Sequence, residues 1–474
     1  MKASPLQLWN TLTRRTEPLA TRDAGHVRLY VCGVTVYAHP HVGHARVWLI
    51  FDVLVRFLEW TGPRVTYVRN ITDIEDKIID RAAAAGVSAA ELAATMADAM
   101  LADSQALRCR MPDVEPRATA HIPEMIAMIE TLEQRGLAYR APDGVYFSVP
   151  DLPAYGRLSH RRLEDMRAGA RVEVDDQKRH PADFALWKAA KPGEPFWESP
   201  FGAGRPGWHI ECSAMSIRYL GQPFDLHGGG EDLIFPHHEN EIAQAEGASG
   251  QTFAAHWMHV AFLRLGAEKM SKSLGNLVSI RDALASHPVE ALRLALLATH
   301  YRSPLDFAPD TVAEAEATLL RIYETIARVP ATVVAAQSCE DAARVRSAFA
   351  DGLADDLNTP RALAAIHDGV RAANRHLDAG RPDEAAAVVA ALREVGAVLG
   401  LLQEDASVLL GARRERGAEA AGLDPAEIER QVGERAAARK GRDLKRADGI
   451  RESLAAAGIT LEDKPDGTTV WTAR

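Results

Sequence analysis

The chain has only 4 cysteines in 474 residues, at Cys32, Cys109, Cys212 and Cys339. They are too few and too scattered for a disulfide framework, and no C-x-x-C pair is present. A reduced compartment follows, with room for a metal site. Long apolar runs are also missing. The most apolar stretch, Val47–Trp60, is broken by Asp52, Arg56 and Glu59, and a membrane span needs about 18–20 residues. The opening Met1–Glu17 lacks the apolar core of a signal peptide. A cytoplasmic location is expected. An excess of positive charge is absent too: 55 Lys+Arg against 65 Asp+Glu give a net charge of −10. On average, then, the surface is no nucleic-acid coat.

What is present is ordinary globular material, 47% hydrophobic and 25% charged. The length suggests about three domains, because one core stops growing beyond roughly 250–300 residues. Arg28–Val34 reads as a buried strand, Ala45–Glu59 as a helix and Val65–Val68 as a second strand. Strand, glycine loop, helix and strand form a βαβ unit, the seed of a doubly wound parallel α/β sheet. Helices are expected over Glu75–Gly86 and Ala89–Leu107. Pro123–Gly136 reads as helix, Ala138–Val149 as a hairpin, and the Pro/Gly-rich stretch to Arg205 as an insertion between two halves of the sheet domain. Pro223–Leu226 and His256–Phe262 read as returning strands. Beyond Asp310, Ala313–Arg328, Cys339–Gly352, Thr359–Ala379 and Asp383–Leu402 have the composition of a helical bundle. Gln403–Leu423 reads as a linker. Two helices, Pro425–Gly441 and Leu444–Gly458, and an extended end at Gly467–Thr472 close the chain.

Several motifs carry chemistry. His41-Val42-Gly43-His44 lies between the first strand and its helix. A helix start offers unpaired N–H groups to phosphate, and two imidazoles there can donate to phosphoryl oxygens. Glu268–Asn276 (EKMSKSLGN) is a cationic loop suited to gripping a polyphosphate. His227-Gly228-Gly229-Gly230-Glu231-Asp232 ends a strand with glycines, which suits close approach to a nucleotide, with Asp232 available for ribose hydroxyls. A plain flexible turn would read the same way. In HHENE, His237 with Glu241 is an i,i+4 pair and His238 with Glu241 an i,i+3 pair, so either imidazole could join the carboxylate on one ion. Cys32 and Cys212 could complete a four-ligand zinc set at the carboxyl edge of the sheet. Spacing alone leaves a pair of buried cysteines equally open. Near the C-terminus, Arg435, Arg439, Lys440, Arg442, Lys445 and Arg446 form a local basic stripe. Over Pro425–Arg446, these and Arg430 outnumber Glu427, Glu429, Glu434 and Asp443. A solvated amphipathic helix is the plainer reading of such a stripe, and an RNA-binding module would show the same excess, with a contact that is local and salt-sensitive.

Together these strings resemble the cysteinyl-tRNA synthetases, class I aminoacyl-tRNA synthetases, nearly end to end. The resemblance rests on YVCGVTVY (Tyr30–Tyr37), HVGHAR (His41–Arg46) and YVRNITDIEDKII (Tyr67–Ile79). It continues through GRPGWHIECSAM (Gly204–Met215), HGGGEDLIFPHHENEIAQ (His227–Gln244), EKMSKSLGN and the closing GITLEDKPDGTTVW (Gly458–Trp471). Val34 and Val42 depart from the family's usual residues, and both remain apolar.

The resemblance implies a zinc site of Cys32, Cys212, His237 and Glu241, with His237 rather than His238 as the imidazole ligand. It implies His41, His44, Lys269 and Lys272 as catalytic residues and Gly43, His44, Asp232 and Lys272 at ATP. Gly33, Thr72 and Trp208 are expected in the amino-acid pocket. The implied reaction activates L-cysteine with ATP and Mg2+ as cysteinyl-adenylate, then transfers it to tRNA(Cys). Zinc would favour the substrate thiolate over serine, and no editing domain is expected. The implied organisation is a Rossmann-like catalytic domain in two halves (1–115 and 206–262) around a connective insertion (116–205). A signature-loop and stem-contact region (263–310), a helical bundle (311–405) and an anticodon-recognition domain (406–474) follow. A monomer with no membrane partner is expected. Three rivals are a cysteine–amino-sugar ligase of mycothiol synthesis, a zinc hydrolase and a non-catalytic RNA-binding relative. The C-terminal basic helices argue against the first. HHENE lacks the second histidine of H-E-x-x-H, against the second, and all the motifs are present, against the third.

Overall fold

The computed structural model describes residues 5–163, 177–265, 268–269, 278–308, 310–420, 422–463 and 469–473. The strands are β1 (Gln7–Asn10), β2 (Arg15–Pro18), β3 (His26–Val31), β4 (Arg64–Arg69), β5 (Ala138–Ala141), β6 (Gly144–Phe147), β7 (Phe184–Ala189) and β8 (Gly204–Pro206). They continue with β9 (Phe224–Gly230), β10 (Ala254–Val260), β11 (Leu263–Leu265), β12 (Glu268–Lys269), β13 (Leu305–Asp306), β14 (Ile459–Asp463) and β15 (Thr469–Ala473). The helices of the sheet domain are α1 (Val42–Thr61), α2 (Asp76–Ala85), α3 (Ala89–Ala106), α4 (Ile122–Gln134), α5 (Trp208–Leu220), α6 (Glu239–Ser249), α7 (Ile280–Ser286) and α8 (Val289–Leu297). Then come α9 (Thr311–Ala327), α10 (Glu340–Ala354), α11 (Thr359–Asp378), α12 (Pro382–Leu399), α13 (Ala406–Ala420), α14 (Pro425–Lys440) and α15 (Leu444–Ala456).

The central sheet is parallel throughout, in the order β10-β9-β3-β4. Parallel strands need crossovers, and burial on both faces explains their apolar runs. One core lies on the α1 side and runs on into the bundle, joining Phe51 and Leu54 to Phe349 and Leu392. The other unites Tyr30, Ile210 and Trp257 with Ile129 and Phe147. The order β5-β6-β7-β8 forms a separate antiparallel sheet, placed in sequence between β4 and β9. A third, small core gathers Ile428, Val432, Leu454, Ile459, Leu461 and Trp471 near the C-terminus.

Two local expectations change. Gln403–Leu423 is not a linker: α13 occupies Ala406–Ala420. Its apolar positions are diluted by Gly411 and by Arg413, Arg414 and Arg416, which hides the helical period. Its helicity comes from tertiary packing: Leu409 and Ala418 are buried, and Arg416 pairs with Glu316 on α9. Likewise β9 runs through the glycines to Gly230 instead of stopping at Leu226. A Cβ on Gly228 would meet the Phe51 ring at 2.2 Å. Gly228 therefore lets α1 lie against the central strand, so that glycine belongs to packing and not to a flexible turn. The β1–β2 hairpin carries too little apolar pattern to be foreseen. It docks through Asn10, whose Oδ1 accepts from Trp257 N at 3.1 Å.

Candidate active site

β3 ends at Val31, so Cys32 emerges from the carboxyl edge of the sheet, its N–H donating to Gly228 O at 3.0 Å. Cys212 lies one turn into α5, just beyond Trp208. After β9 the chain makes two short irregular turns over Glu231–His238 before α6 begins at Glu239. His237 therefore precedes the regular helix, yet its Nε2 lies 3.1 Å from Glu241 Oε1. One ligand atom from each of Cys32, Cys212, His237 and Glu241 falls within 4.8 Å of the others, all four residues buried. Cys32 Sγ lies 3.6 Å from His237 Nε2 and 3.4 Å from Glu241 Oε1. A second grouping, Cys32, His227, His238 and Glu241, meets the same distance criterion. The first offers two thiols, an imidazole and a carboxylate, a donor set suited to tetrahedral zinc.

The charges in this pocket act on one another. Burial raises the Cys212 thiol, but a hydrogen bond from Cys32 and the His237 charge outweigh it and bring it down to about 6. Burial opposes the His237 imidazolium, but Glu241 and then Cys212 raise it to about 10. Burial also works against the Glu241 carboxylate, yet His227 and His237 hold it well below the usual range. Burial, and then Cys212, push the Cys32 thiol up, so the opposing shifts show four strongly interacting groups in one buried cluster.

Neighbouring groups orient these side chains. His209 Nδ1 lies 2.8 Å from His237 Nδ1, leaving Nε2 turned toward the cysteines. His227 Nε2 holds the other Glu241 oxygen at 2.8 Å. The Trp208 ring stacks on His237 with centroids 4.4 Å apart, so Trp208 forms a wall of the cluster. His209 and His227 were not singled out as site residues in the sequence. His209 directly follows Trp208, and His227 opens the glycine run, where the glycines draw attention away from it. Gly33 N donates to Asn70 Oδ1 at 2.9 Å, and a Cβ on Gly33 would strike Asn70 O at 1.7 Å. Thr72 is buried and accepts from Asn70 Nδ2 at 3.2 Å. Asn70 thus brings Gly33 and Thr72 together beside Cys32.

On the phosphate side, α1 starts three residues earlier than Ala45, with His41 as its N-cap. Gly43 N donates to His41 Nδ1 at 3.1 Å, and His41 N donates to His44 Nδ1 at 3.2 Å. Each Nδ1 accepts a backbone N–H, so the proton of each neutral ring sits on Nε2. The two rings stack at 3.9 Å and remain half-buried. The backbone of Lys269 lies in β12, paired with β11. Lys272 lies outside the described residues. Asp232 is solvent-exposed on the turn after β9. The structure brings the four cysteine-side ligand candidates together and pairs His41 with His44.

The basic stripe divides. Arg435 is buried and grips Asp463 through two bonds of 2.7 and 2.8 Å, and Arg439 joins it at 2.6 Å. These two arginines fasten the β14–β15 hairpin. Arg446 pairs with Glu434. Lys440, Arg442 and Lys445 are exposed around the α14–α15 turn.

A parallel sheet holding its ligand-bearing edge beside histidines at a helix start is the architecture of a class I tRNA synthetase. A family model described as the tRNA synthetases class I (C) catalytic domain matches residues 18–317, and a DALR domain model matches residues 348–403. Methionyl-tRNA synthetase of Mycobacterium tuberculosis, solved with methionyl-adenylate, superposes with a TM-score of 0.63 at 17% identity, covering 85% of this chain and 95% of that one. At that identity the likeness speaks for the fold alone. Cysteine–tRNA ligase of Geobacter sulfurreducens is 50% identical over 98% of this chain and 99% of its own length. That of Alkalilimnicola ehrlichii is 52% identical over 98% and 99%. The chain belongs to the cysteine–tRNA ligase family. These near-complete matches do not favour the amino-sugar ligase reading. No described helix is long and apolar enough to cross a membrane.

Proposed function

We propose that the chain performs its family's reaction with Cys32, Cys212, His237 and Glu241 as the zinc ligands that select cysteine. The reaction joins L-cysteine to tRNA(Cys) at the expense of ATP, through cysteinyl-adenylate. The observation that carries this reading is the burial of two thiols, an imidazole and a carboxylate within 4.8 Å of one another, beside the Trp208 ring. A zinc ion held by these four residues would supply a Lewis acid with a preference for thiolate over a protonated hydroxyl. Selecting by atom type suits the problem, because selection by size separates near-isosteres by only about 10–200-fold.

The chain's own residues do the rest. His209 fixes the tautomer and tilt of His237, and His227 fixes the Glu241 carboxylate. Trp208, Gly33 and Thr72 shape the pocket for the amino acid. The Nε2–H groups of His41 and His44 donate to the α-phosphate oxygens as negative charge builds up on them. Gly43 keeps this helix start open to the nucleotide, Lys269 and Lys272 hold the β- and γ-phosphates, and Asp232 serves the ribose. Mg2+ accompanies ATP. Lys440, Arg442 and Lys445 contribute to a local tRNA contact. We assign the chain to the cytoplasm as a monomer, with the domain boundaries set out from the sequence.

Aminoacylation of total tRNA with each amino acid in turn, alongside metal analysis, tests this reading. Charging with cysteine alone and about one zinc per chain are expected. Metal-free protein with full cysteine activation would overturn the zinc assignment.

A further inference from the structure

Arg46 lies two residues beyond His44 on α1, its side chain buried. Its Nη1 donates to Ala261 O at 3.0 Å and Phe262 O at 2.9 Å. Its Nη2 donates to His300 O at 3.2 Å and Ser303 O at 2.6 Å. Burial lowers Arg46 to about 10 against the opposing charge of Glu231, so it stays charged at neutral pH. A buried guanidinium whose two terminal nitrogens are spent on four backbone carbonyls is a joint between chain segments.

The joined segments matter. Ala261 and Phe262 connect β10 to β11, and β11 pairs with both β12, which contains Lys269, and β13. His300 and Ser303 lie on the turn that leads into β13. On the far side, Val42 N donates to Val278 O at 3.0 Å, and His41 bridges Ser279 in antiparallel register. The described segments on both sides of 270–277 are thus tied to the first turns of α1, the helix start bearing His41 and His44. Two of those ties are ordinary backbone pairing. The third depends on one side chain, Arg46.

We propose that Arg46 is a positioning residue for cysteine activation, setting the β11–β12 arm that carries Lys269 at a fixed distance from His41 and His44. The assignment rests on the phosphate roles given above to His41, His44 and Lys269. Lysine cannot replace arginine here, because one ammonium cannot span two pairs of carbonyls in a fixed fork.

The test is a double-mutant cycle in the full-length enzyme, read by cysteine-dependent ATP–pyrophosphate exchange. It uses Arg46→Met and Arg46→Lys, each alone and combined with Lys269→Ala. Arg46→Met should lower kcat at least tenfold with the cysteine KM within twofold of wild type, and Arg46→Lys should recover only part of the loss. Lys269→Ala should cost at least threefold less in the Arg46→Met background than in wild type, since a displaced arm has less left to lose. Equal costs in both backgrounds would overturn the proposal, as would a cysteine KM that rises in step with the fall in kcat. A silent Lys269→Ala in wild type would instead sink the phosphate reading of the arm, and this proposal with it. Should neither Arg46 variant fold, Glu231→Ala loosens the same segment, because Glu231 Oε1 accepts from Phe262 N at 3.2 Å. It must then show the same non-additivity with Lys269→Ala, and additivity there overturns the proposal.

Discussion

The four proposed zinc ligands are at most 7% exposed, whereas His41 and His44 at the start of α1 are half-buried. The thiol side is held by side chains: His209 against His237, His227 against Glu241, Trp208 stacked on His237. The phosphate side is held by backbone, with His41 and His44 each accepting an N–H from the first turn of α1. The difference fits the task proposed for each half. Telling sulfur from oxygen needs a dry, rigid donor set, because water would compete for the ion and blunt the preference. Adenylyl transfer from ATP, the step proposed for the other half, needs donors that stay reachable by a large charged substrate.

This contrast can be broken from either side. Cys212→Ser should have the largest effect, removing bound zinc and lowering cysteine activation at least about a thousandfold. Wild-type exchange at reduced zinc content would separate the metal from recognition. His44→Ala should lower the exchange rate by about a hundredfold, the typical loss for one oxyanion donor. Its zinc content and cysteine KM should be unchanged, and loss of zinc would mean that the two halves are not independent. His209→Ala should weaken zinc affinity by about 10–100-fold, the usual cost of removing a group that orients a ligand. Competition with a chromophoric chelator measures this, and unaltered affinity would leave His209 a packing residue. The smallest effect lies far from the cleft. Arg435, then Thr469, hold the Asp463 carboxyl well below its usual range. The folded value lies below the unfolded one, so the tether is intact above about pH 4 and is lost as pH falls through the folded value. Amide exchange in Ile459–Asp463 should quicken in acid while β9 stays protected, and Asp463→Asn should reproduce the change at neutral pH.

The parallel sheet was legible because β3, α1 and β4 carry unbroken apolar runs between glycine punctuation. The helices of the bundle were legible because alanine and leucine recur at helical spacing. α13 was not legible, since its burial is supplied by partners distant in sequence such as Glu316. Nor was the division of labour within the basic stripe. Arg435 and Lys440 look alike in a charge count, and only the fold shows that one is buried against Asp463. At the site, spacing left His237 and His238 equivalent. In the fold His237 Nε2 is 3.1 Å from Glu241 and His238 Nε2 is 3.8 Å away, and each imidazole falls in a four-residue grouping with Cys32 and Glu241. The supporting histidines escaped notice because a side chain that orients another leaves no spacing rule in the sequence.

Cys32 and His237 lie 205 positions apart, on opposite sides of the antiparallel sheet in the chain. A ribosome making this protein must therefore release most of the catalytic region before the candidate ligands can meet. Until then the part of the chain before the antiparallel sheet offers only Cys32 of the four candidate ligands, a poor trap for any ion. With the proposed ligands, metal capture would follow synthesis of Glu241, and an interrupted chain would carry no finished site to sequester zinc.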